Sequence, residues 1–87
     1  MSIKTHFPPT PRGHAQRGTD ADVLALGDAV RAARSEAGMT QAELALVCGV
    51  SRDTVIALEN GRSGVSLGSA LSILRGLGLT LLPAARN

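Results

Sequence analysis

"MTQAELALVCGVSRDTVIALENG", Met39 to Gly61, holds two short amphipathic segments joined by a glycine turn. Thr40 stands three residues ahead of Glu43, the spacing of a capping box in which each residue satisfies an orphan amide of the other at a helix start. Leu44, Ala45 and Cys48 then share one helical face, and Gly49 supplies the stop. Ser51 caps a second helix in which Val55 and Leu58 lie three apart, and Asn60-Gly61 marks its end. Each helix is too short to be stable alone, so both must be held by packing. Two short helices joined by a glycine-containing turn form a hairpin that projects the second helix from the body of the protein. Packed that way, the second helix leaves Arg52, Asp53, Thr54 and Ile56 facing out. The major groove of duplex DNA, about 12 Å wide, is the partner that accepts such a helix readily.

Upstream, a helical pattern starts at Val23, with Leu26, Val30, Ala33 and Ala37 on one row and Gly38 placed as a left-handed C-cap. Downstream, Ser66 caps a further helix with Leu67, Ala70, Leu71, Leu74 and Leu77 predicted to face inward, interrupted near Gly76 and Gly78. The segment Leu79, Thr80, Leu81 and Leu82 could form a strand, although no other strand-like stretch exists in the chain to pair with it. A second copy related by a twofold axis could supply the partner; the alternative is an irregular tail packed on the last helix. The reading is therefore an all-α fold with a flexible arm over 1–21, a helical domain over 22–78 and a C-terminal strand and tail for dimerisation over 79–87.

The 87 residues suit one small domain, and the 44% hydrophobic content allows a modest core. Trp and Tyr are absent and Phe occurs once, which removes the stacking platforms used to bind single-stranded nucleic acid. The net charge of +2 is unevenly spread: Lys4, Arg12 and Arg17 precede the first acid, and from Asp20 onward six arginines face seven carboxylates. Binding to nucleic acid must then come from local placement of arginines and helix ends. The arm could use Arg12 and Arg17 to reach DNA phosphates or a minor groove, or be a plain tail.

Cys48, the single cysteine, reads as a buried reduced thiol, which suits a reducing cytoplasm. No leader-like or membrane-spanning run of about 18 apolar residues is seen, so a soluble, unexported chain is expected. His6 and His14 lie in the arm with no carboxylate spaced to join them and Cys48 in a metal site, and no nucleophile has an evident base. Neither a metal, a cofactor nor an enzymatic activity is expected.

The stretch 39–61 resembles the Cro and phage-repressor (Xre, or Cro/C1) class of helix-turn-helix regulators. It carries their Thr-Gln start, Leu-Ala core pair, Gly-Val-Ser turn, β-branched plus Leu core pair and Glu-Asn-Gly ending. The resemblance covers about residues 24 to 78 and implies four to five helices, and "LGLTLLPAARN" is similar to the tail of HipB-type antitoxins, whose C-terminal strand forms a dimer sheet.

By that resemblance, Ser51, Arg52, Asp53 and Ile56 occupy base-reading positions, and Thr40, Gln41, Thr54, Asn60 and Arg62 contact the DNA backbone, Gln41 also bracing the recognition helix. Physically, Arg52 can donate two hydrogen bonds to guanine O6 and N7, a pairing worth about 1–3 kcal/mol of discrimination, or be a solvated arginine. Asp53 could accept from a cytosine amino group, or be favoured in a first helical turn by the helix dipole alone. Ile56 departs from the polar residue common in the family and could meet a thymine methyl or a protein interface. The resemblance also pairs Arg34 with Glu59 in a partly hidden, structural ion pair.

The function it implies is a homodimeric repressor on a palindromic double-stranded DNA operator, specifically the antitoxin of a HipA-type kinase toxin. The alternative is a free-standing or phage-type regulator with no toxin partner.

Overall fold

Four serine, threonine and aspartate caps set the frame of the molecule, a computed structural model that describes residues 17–81. Asp20 caps α1 (Ala21–Glu36), Thr40 caps α2 (Gln41–Cys48), Ser51 caps α3 (Arg52–Glu59) and Ser66 caps α4 (Leu67–Gly76). In each case the side-chain oxygen accepts from backbone amides of the first turn that have no partner within the helix. The described residues form four helices and no strand, an all-α fold.

Helix α3 packs against both α1 and α2, and α4 closes over α2 and, less extensively, over α3. The core between them is Val30 of α1, Leu44 and Ala45 of α2, Val55 and Leu58 of α3, and Ala70, Ile73 and Leu74 of α4. Each large aliphatic side chain buried here contributes about 1.5–3 kcal/mol, and together they offset the ordering cost of helices that are marginal alone. Gly27 lets α1 lie directly on the end of α3, since a Cβ there would sit 2.4 Å from the Leu58 carbonyl oxygen.

The structure departs from the sequence reading in three places. Helix α1 begins at Ala21, not Val23, because Asp20 Oδ1 accepts from the amides of Asp22 (2.9 Å) and Val23 (3.1 Å) ahead of the first apolar residue of the row. Just upstream, residues 17–20, read as part of a free arm, are tied down: the Gly18 amide donates to the Asn60 carbonyl at 2.8 Å. Leu67, expected to face inward, is the first residue of α4 and 68% exposed, while Ile73, left out of that row, is fully buried.

The proposed strand residues Leu79, Thr80 and Leu81 have no strand geometry in the single chain, and Leu82 lies outside the described residues. Instead, the Leu79 amide donates to the Leu74 carbonyl at 2.8 Å, with Gly78 at φ +71°, which closes the end of α4. Pairing across a dimer would therefore have to leave the Leu79 amide with α4. No helix among the described residues is long and apolar enough to cross a membrane.

Candidate nucleic-acid interface

The path from α2 into α3 is fixed by side chains that were legible as caps. Thr40 Oγ1 accepts from the Glu43 amide at 3.0 Å, and Glu43 Oε1 accepts from the Thr40 amide at 2.8 Å. Those bonds, with the backbone amide of Thr40 contributing most, hold the Glu43 carboxyl below the usual range. Gly49, at φ +70° with open space around its Cα, turns the chain by a left-handed step that any L side chain would strain. Ser51 Oγ then accepts from the Thr54 amide at 3.1 Å and lies 2.8 Å from the Thr54 hydroxyl, so one pair of small polar side chains shapes the first turn of α3.

On that turn Ser51, Arg52 and Asp53 are exposed, and Thr54 and Ile56 are half-buried at its flank. Thr54 opens into a shallow cleft shared with Asp53, Arg62, Ser66 and Ser69, which joins the first turn of α3 to the start of α4. The four positions predicted to read bases thus lie together on the first turn of α3, and Thr54 and Arg62, two of the predicted backbone contacts, border them. Thr40 and Gln41 lie at the start of α2; Thr40 is exposed and Gln41 half-buried.

Behind this surface lies a charged network. Glu59 is fully buried, and its carboxylate accepts from Arg34 Nε (2.6 Å), Arg34 Nη2 (3.1 Å) and Gln41 Nε2 (3.1 Å). Arg34 also donates to the Met39 carbonyl at 2.8 Å, which ties the α1–α2 connection into the same network. Burial pushes the Glu59 carboxyl up, but the hydrogen bonds from Arg34 and Gln41 and the charges of Arg34 and Arg31 outweigh it and hold the group below the ordinary carboxylate range. The same bond to Glu59 raises Arg34 further above its already high value. Gln41 therefore braces α3 through its side-chain amide, leaving its backbone N–H, at the first position of α2, facing out of the helix end.

Arg31 belongs to this network and was not singled out in the sequence. It donates to the Glu59 carbonyl (3.2 Å) and to Asn60 Oδ1 (3.3 Å), and its Nε lies 3.6 Å from the Glu59 carboxylate. Its spacing of three from Arg34, which puts both on one side of α1, was the available signal. The side-chain oxygen of Asn60, a predicted backbone contact, is consequently tied to Arg31.

Cys48 is half-buried against the Ile73 carbonyl, and burial raises its thiol, the condition of an unreactive packing residue. Among the described residues no three His, Cys, Asp or Glu side chains are grouped to hold a metal ion.

A capped helical hairpin presenting the first turn of its second helix, braced from behind by a buried ion pair, defines a helix-turn-helix DNA-binding domain. The chain matches the helix-turn-helix family over residues 30–82 and belongs to it, in the Xre (Cro/C1) class. It is 53% identical over 49 residues to an uncharacterized HTH-type transcriptional regulator of Methanothermobacter thermautotrophicus, a match covering 56% of this chain and 71% of that protein. Among solved structures it is similar to the restriction-modification controller protein C.AhdI from Aeromonas hydrophila, at 31% identity and a TM-score of 0.63, over 70% of this chain and 92% of that one. A chain of the HipA-HipB-O2-O3 complex is similar at 26% identity and a TM-score of 0.69, over 80% of this chain and 99% of that one. The protein is a DNA-binding transcriptional regulator of this class.

Proposed function

We propose that the chain acts in the cytoplasm, at the nucleoid, as a homodimeric repressor of a palindromic operator, and that it is the antitoxin of an operon encoding a HipA-type kinase toxin. The observation that carries the DNA-reading part is the exposed first turn of α3, with Arg52 at its front and Glu59 locked at its rear by Arg34 and Gln41. A helix held at one end and open at the other enters a groove without reorganising.

In this reading Arg52 donates to guanine, Ser51 and Asp53 contact neighbouring base edges, and Ile56 meets a thymine methyl. Thr40, Gln41, Thr54, Asn60 and Arg62 fix the register on phosphates. Two copies place their recognition helices about 34 Å apart, so half-sites about 10 bp apart are expected. The C-terminal stretch 79–82 of two copies pairs antiparallel to form the dimer, with the Leu79 amide kept by α4 and the cross-pairing made from Thr80 onward. Repression follows from occlusion of the promoter, and the regulator needs no cofactor or catalytic step.

The likeness to a chain of the HipA-HipB-O2-O3 complex over 80% of the sequence supports the antitoxin assignment. The likeness to C.AhdI supports the second reading, a regulator without a toxin partner. Selection from a randomised duplex pool, followed by capture of partners from the native cell and their identification by mass spectrometry, tests both. A palindromic site together with a stoichiometric kinase-fold partner is expected. A palindromic site with no such partner contradicts the antitoxin assignment and leaves the regulator; no enrichment by folded protein contradicts the DNA-reading role of α3.

A further inference from the structure

The C-terminal end of α3 is closed by groups from outside the helix. The carbonyls of Ala57 and Leu58 accept from the amides of Arg62 (3.0 Å) and Gly61 (2.9 Å), and the Asn60 carbonyl accepts from the Gly18 amide at 2.8 Å. The Glu59 carbonyl is taken by a side chain of another helix, Arg31 of α1. Gly27, one turn earlier on α1, brings the two backbones close enough for that reach: a Cβ there would lie 2.4 Å from the Leu58 carbonyl oxygen and 2.9 Å from that of Glu59. A guanidinium at a helix C-terminus also meets the negative end of the helix dipole.

Arg31 does more there than cap the helix. Its Nη2 carries two hydrogens, and its acceptors are the Glu59 carbonyl (3.2 Å) and Asn60 Oδ1 (3.3 Å), while Nε lies 3.6 Å from the Glu59 carboxylate. Glu59 and Asn60 together thus fix the planar guanidinium, although the side chain is 44% exposed. The carboxamide of Asn60 has an acceptor at one end and a donor at the other. Reversed, it would set its NH2 against the Arg31 NH2, two donors facing each other with nothing to accept. Arg31 therefore holds Oδ1 toward α1 and turns Nδ2 away from itself. Phosphate oxygens only accept, so Nδ2 is the end that a phosphate requires.

We infer that Arg31 is a positioning residue for DNA binding: it acts through Asn60, holding the amide in the orientation that donates to a phosphate, and does not itself touch the duplex. The inference rests on the proposed phosphate contact of Asn60. Because that contact is to the DNA backbone, its loss weakens every duplex alike. Because Asn60 is neutral and Arg31 stays with Glu59, neither residue releases a counterion from the DNA.

A double-variant cycle on the full chain tests it, with affinity measured on the selected duplex and on a mixed-sequence duplex over a range of salt, and thermal unfolding used to verify that each variant is folded. Asn60→Ala is expected to weaken both duplexes about tenfold per bound copy, the lower end for one hydrogen bond to a charged group. Arg31→Met is expected to weaken both by about three- to tenfold per bound copy, to leave the slope of log K against log salt unchanged, and to have no further effect in the Asn60→Ala background. An Arg31→Met loss that is the same with and without Asn60→Ala overturns the inference, since a tilt of α3 would act in both backgrounds. A slope lower by about 0.9 per bound copy overturns it as well, because Arg31 would then neutralise a phosphate directly. If Arg31→Met is unfolded at the assay temperature, Arg31→Lys, which keeps the charge but not the fork, enters the same cycle, and additivity there is the overturning result. Undiminished binding by Asn60→Ala is a different result, which overturns the phosphate contact itself and the inference with it.

Discussion

Glu59 and Arg34 hold α3 from behind and leave its exposed first turn unused by the packing. A carboxylate with no exposed surface is stable only while its charge-assisted hydrogen bonds persist. Arg34→Met is expected to destabilise the fold by about 3–5 kcal/mol in urea unfolding, because it leaves Glu59 buried with one of its main donors gone. Replacing both residues by apolar side chains of similar volume should recover much of that loss, whereas a loss equal to or greater than that of the single variant would show that packing, not the orphaned charge, sets the cost. The pair also fixes a pH dependence. Because the folded carboxyl lies below its unfolded value, about 4.3, its contribution is fully present above that pH and is lost as pH falls through the folded value. Stability measured between pH 7 and pH 3 should fall at the acid end for the native chain and fall less steeply for Glu59→Gln.

At the scale of elements, the caps were legible because their chemistry is local. Thr40 with Glu43, Ser51 and Ser66 each mark a helix start within four residues of sequence, and the structure has all of them as caps. What could not be read was chemistry that acts between elements. Gly27 and Gly18 look like any helix or loop glycine until α3 and its exit are laid against them, and Leu67 matches the apolar row of α4 by spacing but precedes the turn that meets the core. Arg31 needed the position of Asn60. Two glycine substitutions separate these cases. Gly27→Ala forces α1 off the Leu58 carbonyl and should cost about 1–3 kcal/mol. Gly68→Ala, in the first turn of α4 with open space around it, should be neutral or stabilise by up to about 1 kcal/mol. Equal effects at the two sites in denaturant unfolding would contradict the close packing of α1 on α3.

For the whole molecule, the proposed function requires two copies. Leu81 is 53% exposed at the end of the described chain, and the Leu79 amide is already engaged with α4, so the pairing of two tails is expected to run through Thr80 and the residues after it. A Leu81→Asp variant should remain folded and shift toward monomer in sedimentation at micromolar concentration, while a dimer unchanged in strength would exclude this tail as the interface.

Base reading by the first turn of α3 is measured by the affinity of the native chain and Arg52→Ala for the duplex selected from a random pool and for an unrelated duplex, at one salt concentration. Arg52→Ala should lose about 1–3 kcal/mol per recognition helix on the selected site and far less on the unrelated one. An equal loss on both, or none on either, would contradict it.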